Sequence, residues 1–142
     1  MKAGRDFIGV GAVFYCHDGE GGVLLNLRGE AASDENGRWD IGGGKLEFGE
    51  SVDEALVREI REEYLTEVLE KEFLGFRDVH REHEGKPTHW IALDFKVRVA
   101  KEKAGNGEPN KFDDVKWFPK ESLPSPLHSQ LPVFLAKYAP RL

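Results

Sequence analysis

The chain has 142 residues and a formal net charge of −6, with 39% hydrophobic and 32% charged residues. That length suits one domain spanning residues 1–142, able to hide roughly 68–70% of its unfolded surface. The acidic balance, without a basic stripe, argues against electrostatic capture of long nucleic acid. The single cysteine, Cys16, excludes an intramolecular disulfide and a Cys-rich zinc site, and reads as a small buried side chain. No apolar stretch reaches the length of a membrane span, so no membrane partner is expected. The apolar run Phe7–Tyr15 contains Gly9 and Gly11, and no cleavage-like site follows it. It reads as a strand rather than a signal peptide, which points to a cytoplasmic protein.

In chain order, Phe7–Cys16 is the first expected strand, with Ile8, Val10, Ala12 and Phe14 on one face. Asp18-Gly19 and Gly21-Gly22 mark a turn, and Val23–Arg28 is a second strand, so the two predict a hairpin. Gly29–Arg38 reads as a polar loop, Trp39–Ile41 as a short apolar stretch, and Gly42, Gly43 and Gly44 as part of a loop before a helix. Ser51 and Glu54 form a capping box that opens this helix, which runs to about Leu65. Glu67–Val79 and Thr88–Val99 read as strands, with polar His80–Pro87 between them. In the second, Ile91, Leu93, Phe95, Val97 and Val99 share one face, opposite Trp90, Ala92 and Asp94. Ala100–Lys111 reads as a charged loop, Val115–Phe118 as a short strand and Val133–Tyr138 as a terminal helix opened by Pro132. Paired strands with one central and one terminal helix predict an α/β (α+β) fold with a mixed central sheet between helices.

The informative segment is Gly43–Glu63, GGKLEFGESVDEALVREIREE. On a helical wheel Leu56, Val57, Ile60 and Tyr64 form the core-facing arc. Glu59, Glu62 and Glu63 form a second arc at spacings of three and four residues, where like charges destabilise a helix by a few tenths of a kcal/mol per pair. Arg58 and Arg61 relieve part of that repulsion, so alone the glutamates would read as a solvated face. The preceding glycines, where backbone can approach a ligand, and the nearby Glu47 and Glu50 are left unexplained by that reading. Carboxylate oxygens with a backbone carbonyl suit Mg²⁺ or Mn²⁺, which would cancel the repulsion and bridge an acidic protein to an anionic phosphate.

This spacing resembles the signature of the Nudix hydrolase family, G-x5-E-x7-R-E-U-x-E-E-x-G-U, where U is bulky and apolar. Gly44, Glu50, Arg58, Glu59, Ile60, Glu62 and Glu63 fall in register, whereas Leu65 and Thr66 replace the last two elements. Gly42 stands where a Pro often precedes the two glycines. Loss of the final Gly is expected to change the helix exit without touching a metal ligand. Downstream, THWIALDFKV and GEPNKFDDVKWFPKESLP are similar to the MutT-like nucleoside triphosphate diphosphatase branch.

The resemblance implies the Nudix α/β/α sandwich and Mg²⁺-dependent hydrolysis, with Mn²⁺ able to substitute. It implies metal ligation by Glu59, Glu62, Glu63 and the carbonyl of Gly44 or Gly43, with Glu50 supporting the loop. Glu59 or Glu108 would accept the proton, and Arg58 would orient the carboxylates. Gly9 and Gly11 could admit a nucleobase against the backbone or a closely packed helix. Trp90 and Phe118 could stack on a base or fill the core. His80, His83 and His89 lack the i, i+4 spacing of a helical zinc pair; from the residues alone His80 and His83 fall on an exposed loop, and His89 could reach a phosphate or be a satisfied strand histidine. Pro126, Leu127 and His128 could contact the base. The expected substrate is a nucleoside triphosphate, cleaved to monophosphate and pyrophosphate. Alternatives are ADP-ribose or a nucleotide-sugar, and a non-catalytic nucleotide-binding module. Small-molecule nucleotide is the expected partner, with the protein a monomer or homodimer.

Overall fold

Strand β1 (Gly9–His17) lies inside a mixed sheet, and both of its faces are buried. In the computed structural model, which describes all 142 residues, the other strands are β2 (Gly22–Arg28), β3 (Trp39–Asp40), β4 (Gly42–Lys45), β5 (Val68–His83), β6 (Lys86–Val99) and β7 (Phe112–Pro119). The sheet order is β3-β2-β1-β6-β5, with β4 paired to β1 and β7 to β2. The β1–β6 pair is parallel and every other pair is antiparallel. Helices α1 (Val52–Tyr64) and α2 (Gln130–Tyr138) cover opposite faces, giving the expected sandwich. Phe14, Leu56, Ile60, Tyr64 and Val97 belong to the core on the α1 side; Tyr15, Val23, Leu25 and Phe134 belong to that on the α2 side. No helix is long and apolar enough to cross a membrane.

Several expectations change in the folded chain. The predicted β1–β2 hairpin is paired only at His17 and Val23, because β2 spends its length on β7. The three glycines are not in a loop. Gly42–Lys45 is a strand that pairs antiparallel with Gly11–Phe14, an arrangement that only a distant partner can impose on so glycine-rich a segment. His80 and His83 are not in a loop either. Strands β5 and β6 continue through them to a two-residue turn, Glu84-Gly85, in which both residues have positive φ (53° and 77°). Polar composition hid this extension because both faces of the outer hairpin reach solvent there.

Helix α1 forms where the capping box predicts. Ser51 Oγ accepts the Glu54 N–H (3.1 Å), and Glu54 Oε1 accepts the Ser51 N–H (3.3 Å). Its buried side is rotated from the expected arc. Ala55 is buried and Val57 only half-buried, so that Glu59 and Glu63 turn toward β4 and the loop before β7. At the other end Leu65 adopts the left-handed conformation (φ 58°, ψ 18°) and donates its N–H to Arg61 O (3.0 Å). The helix therefore exits as a glycine would make it exit, contrary to expectation. Thr66 is buried because its hydroxyl donates to Ala100 O (2.6 Å). Helix α2 begins earlier than expected, with Pro132 in its first turn.

Left-handed backbone costs a residue with a Cβ about 1–2 kcal/mol, and Leu65 is 54% exposed, so little packing offsets it. Leu65→Gly should stabilise the protein by about 0.5–1 kcal/mol after the greater entropy of unfolded glycine is counted. A rise of a few degrees in Tm is expected; a fall would mean that Leu65 packing outweighs the backbone strain.

Candidate active site

Arg58 holds the loop before α1 to the helix itself. Its Nε and Nη2 donate to the two Glu50 oxygens (2.7 and 2.9 Å), and Nη1 donates to Glu59 Oε1 (2.8 Å) and Glu62 Oε2 (3.3 Å). Nη2 also reaches Lys45 O (3.3 Å), at the end of β4. The paired hydrogen bonds from Arg58 hold the Glu50 carboxyl at about 2, well below its ordinary value. Glu50 Oε1 in turn accepts the Glu47 N–H (3.0 Å), which closes the loop.

The three helix glutamates sit in different environments. Glu62 is exposed, whereas Glu59 and Glu63 are buried, at 9% and 1% exposure. Glu59 packs against Gly44 so closely that a Cβ there would lie 2.0 Å from its carboxyl carbon, so any side chain at this position would displace the carboxylate. Burial raises the pKa of Glu59 despite Arg58. Burial also pushes Glu63 up to about 8, opposed by Lys111, whose Nζ is 3.6 Å from Oε2. Glu63 Oε1 is buried and has no hydrogen-bond partner. The loop before β7 seals this end of the helix, since Gly105 and Gly107 donate their N–H groups to Tyr64 O and Glu63 O (both 2.9 Å). It also brings Glu108 near enough for its charge to raise Glu63 further.

A cavity of about 560 Å³ opens on the α2 side of the sheet, with Gly43, Gly44, Glu63 and Lys111 among its lining residues. Gly11 and Trp90 line it, but Gly9 is covered by the Trp90 indole, where a Cβ would meet Cε3 at 2.5 Å. Neither a base nor a helix fills that glycine's space, as the sequence had suggested; a neighbouring strand's side chain does. His89 points from the opposite face, toward Asp78 (3.5 Å) and His80. Phe118 packs edge-on against Trp39 (centroids 4.9 Å apart), and Leu127 packs on the same core; neither lines the cavity, and nor does Pro126. His128 does line it.

Sequence reasoning passed over Asp40, Asn26, Arg77 and Arg81, which also line the cavity. Asp40 lies opposite Asn26 across β2–β3, and burial raises its carboxyl to about 6. Its signal was a lone carboxylate inside the apolar stretch Trp39–Ile41. Arg77 donates to both Asp94 oxygens (2.7 and 2.9 Å), and Arg81 bridges Asp34 and Glu35. Their signal was two arginines four residues apart, hence on one face of a strand. Ser129 caps Glu35 through its N–H and hydroxyl (both 2.7 Å). His128 Nδ1 accepts the Gln130 N–H (3.1 Å), which leaves Nε2, 3.1 Å from Glu35, to carry the proton.

Glu63 provides a stability test. Its folded value of about 8 exceeds its ordinary 4.5, so between those pH values the folded protein holds a proton that the unfolded chain has released. Metal-free stability should therefore fall as pH rises through that window. Glu63→Gln should raise Tm in EDTA at pH 8 but change it much less at pH 5. Equal effects at both pH values would show that Glu63 ionises normally in the folded state.

The family model described as "NUDIX domain" matches residues 7–141. A CTP pyrophosphohydrolase of Escherichia coli (strain K12) is 35% identical over 112 residues, covering 76% of this chain and 75% of the relative. A MutT NUDIX hydrolase from Burkholderia pseudomallei superposes with a TM-score of 0.80 at 27% identity, over 93% of this chain and 98% of that one. The NUDIX domain of Shewanella oneidensis NrtR, crystallised with ADP ribose, shares the fold with a TM-score of 0.71 at 21% identity, covering 99% and 90%. The signature helix and the family match together show that the chain belongs to the Nudix family, as a MutT-like pyrophosphohydrolase.

Proposed function

We propose that the protein hydrolyses a nucleoside triphosphate to a nucleoside monophosphate and pyrophosphate, using Mg²⁺, which Mn²⁺ can replace. The observation that carries this reading is the buried, unpartnered Glu63 oxygen beside Glu59 and Gly44, at a cavity large enough for a nucleotide. Hard carboxylate oxygens without sufficient protein donors fit a hard divalent cation. Glu59, Glu62, Glu63 and the Gly44 carbonyl would hold it. When bound, such an ion neutralises charge on the phosphates and increases the acidity of water.

The protein's own groups supply the rest. Arg58 positions Glu59 and Glu62 and keeps Glu50 ionised, so the loop does not drift from the helix. Glu59 is the proposed proton acceptor for the attacking water, and Glu108, carried near Glu63 by the loop before β7, is the other candidate. Lys111, beside Glu63, places positive charge where a phosphate enters. The relative that acts on CTP supports a triphosphate substrate. Cleavage of ADP-ribose or a nucleotide-sugar is the competing reading.

Two measurements test this. Hydrolysis should vanish in EDTA and return with Mg²⁺ or Mn²⁺, and ³¹P NMR should show pyrophosphate released from a triphosphate. Orthophosphate as first product, or a higher kcat/KM for ADP-ribose or a nucleotide-sugar, would overturn the substrate assignment. Second, Glu59→Gln should lower kcat by about 10²–10⁴, whereas Glu108→Gln should lower it less than about tenfold. The reverse order would transfer the proton-accepting role to Glu108.

A further inference from the structure

The face of the β5–β6 hairpin opposite the cavity carries a second cluster with ligating chemistry. His80 pairs directly with His89 across the two strands, and Asp78 lies two residues before His80, so all three project from one face. The imidazole centroids are 4.1 Å apart with the rings inclined by 31°. Asp78 Oδ1 is 3.5 Å from His89 Nε2, and one donor atom from each of the three residues lies within 4.8 Å of the others. His89 Nε2 is covered and has no hydrogen-bond partner, Asp78 included.

We infer that Asp78, His80 and His89 bind a borderline divalent transition ion, of which Zn²⁺ is the prime example. Two imidazoles and one carboxylate favour such an ion over Mg²⁺. With bonds of about 2.0–2.2 Å, tetrahedral ligand atoms stand roughly 3.3 Å apart, close to the Asp78–His89 separation. A small rotation of the exposed His80 completes the set. The bound ion cross-links β5 to β6 directly behind the stretch whose other face carries Arg77 and Arg81, and so stiffens the strand that supplies the cavity's arginines. A similar grouping of Asp34, Glu35 and His128 is different in kind, because Arg28, Arg81 and Ser129 already occupy its carboxylate oxygens.

The test is a calorimetric Zn²⁺ titration of the untagged protein in excess Mg²⁺, with histidine ¹⁵N NMR. One equivalent should bind, and the ring nitrogens of both His80 and His89 should shift. His80→Gln, His89→Gln and Asp78→Asn should each weaken binding at least about tenfold. Mg²⁺-dependent hydrolysis by His80→Gln should match wild type, showing an intact fold, and Glu62→Gln should bind Zn²⁺ as wild type does. Equal affinity in wild type and His89→Gln, or loss of Zn²⁺ binding in Glu62→Gln alone, would overturn the site and assign the ion to the carboxylate helix.

Discussion

Burying a carboxylate at the end of a helix without a full set of donors opposes folding, and Glu63 is such a carboxylate. The surrounding structure compels it. Leu56, Ile60 and Tyr64 anchor the helix in the core, where full burial of each large side chain contributes about 1.5–3 kcal/mol. The same rotation that buries them turns Glu59 and Glu63 toward β4. The capping box fixes the start of the helix and the Gly105–Gly107 backbone its end, so the carboxylates cannot escape by fraying. The proposed divalent-cation site would account for what packing alone does not.

The glycine strand is the other half of that arrangement. Pairing of Gly42–Lys45 with Gly11–Phe14 sets the backbone against the Glu59 carboxylate, which a side chain at Gly44 would displace. Arg58 then joins the end of this strand, the loop and two helix carboxylates through one guanidinium. A lysine could not make this contact set, because the planar fork serves several acceptors at once. The result is an acidic centre whose charges are positioned before any ligand arrives.

The β5–β6 hairpin presents a different set of polar residues on each of its two faces. One side offers Arg77, Arg81 and Trp90 to the cavity; the other gathers Asp78, His80 and His89. Arg77 is tied to the buried Asp94, which also accepts from the Tyr138 hydroxyl (2.7 Å), so the sheet and α2 are held together behind the cavity. At the far end Arg81 fastens Asp34 and Glu35, and therefore the Gly29–Arg38 loop, to the sheet.

Local pattern by itself determined the amphipathic helix, its capping box, the spacing of Glu59, Glu62 and Glu63, and the alternation of Ile91–Val99, because each depends on residues a few positions apart. It also sufficed for the family and the layered fold. Long-range pairing decided the rest. Nothing near Gly42–Lys45 in sequence specifies a strand; β1 does. Nothing in His80–Pro87 marks an extended hairpin; the register begun further back carries it on. Tertiary packing likewise left Glu62 exposed while burying Glu59 and Glu63, turned His89 away from the cavity and brought Asp40 and Arg81 to it. Charge and spacing are local properties of a chain, whereas burial and direction exist only once distant segments meet.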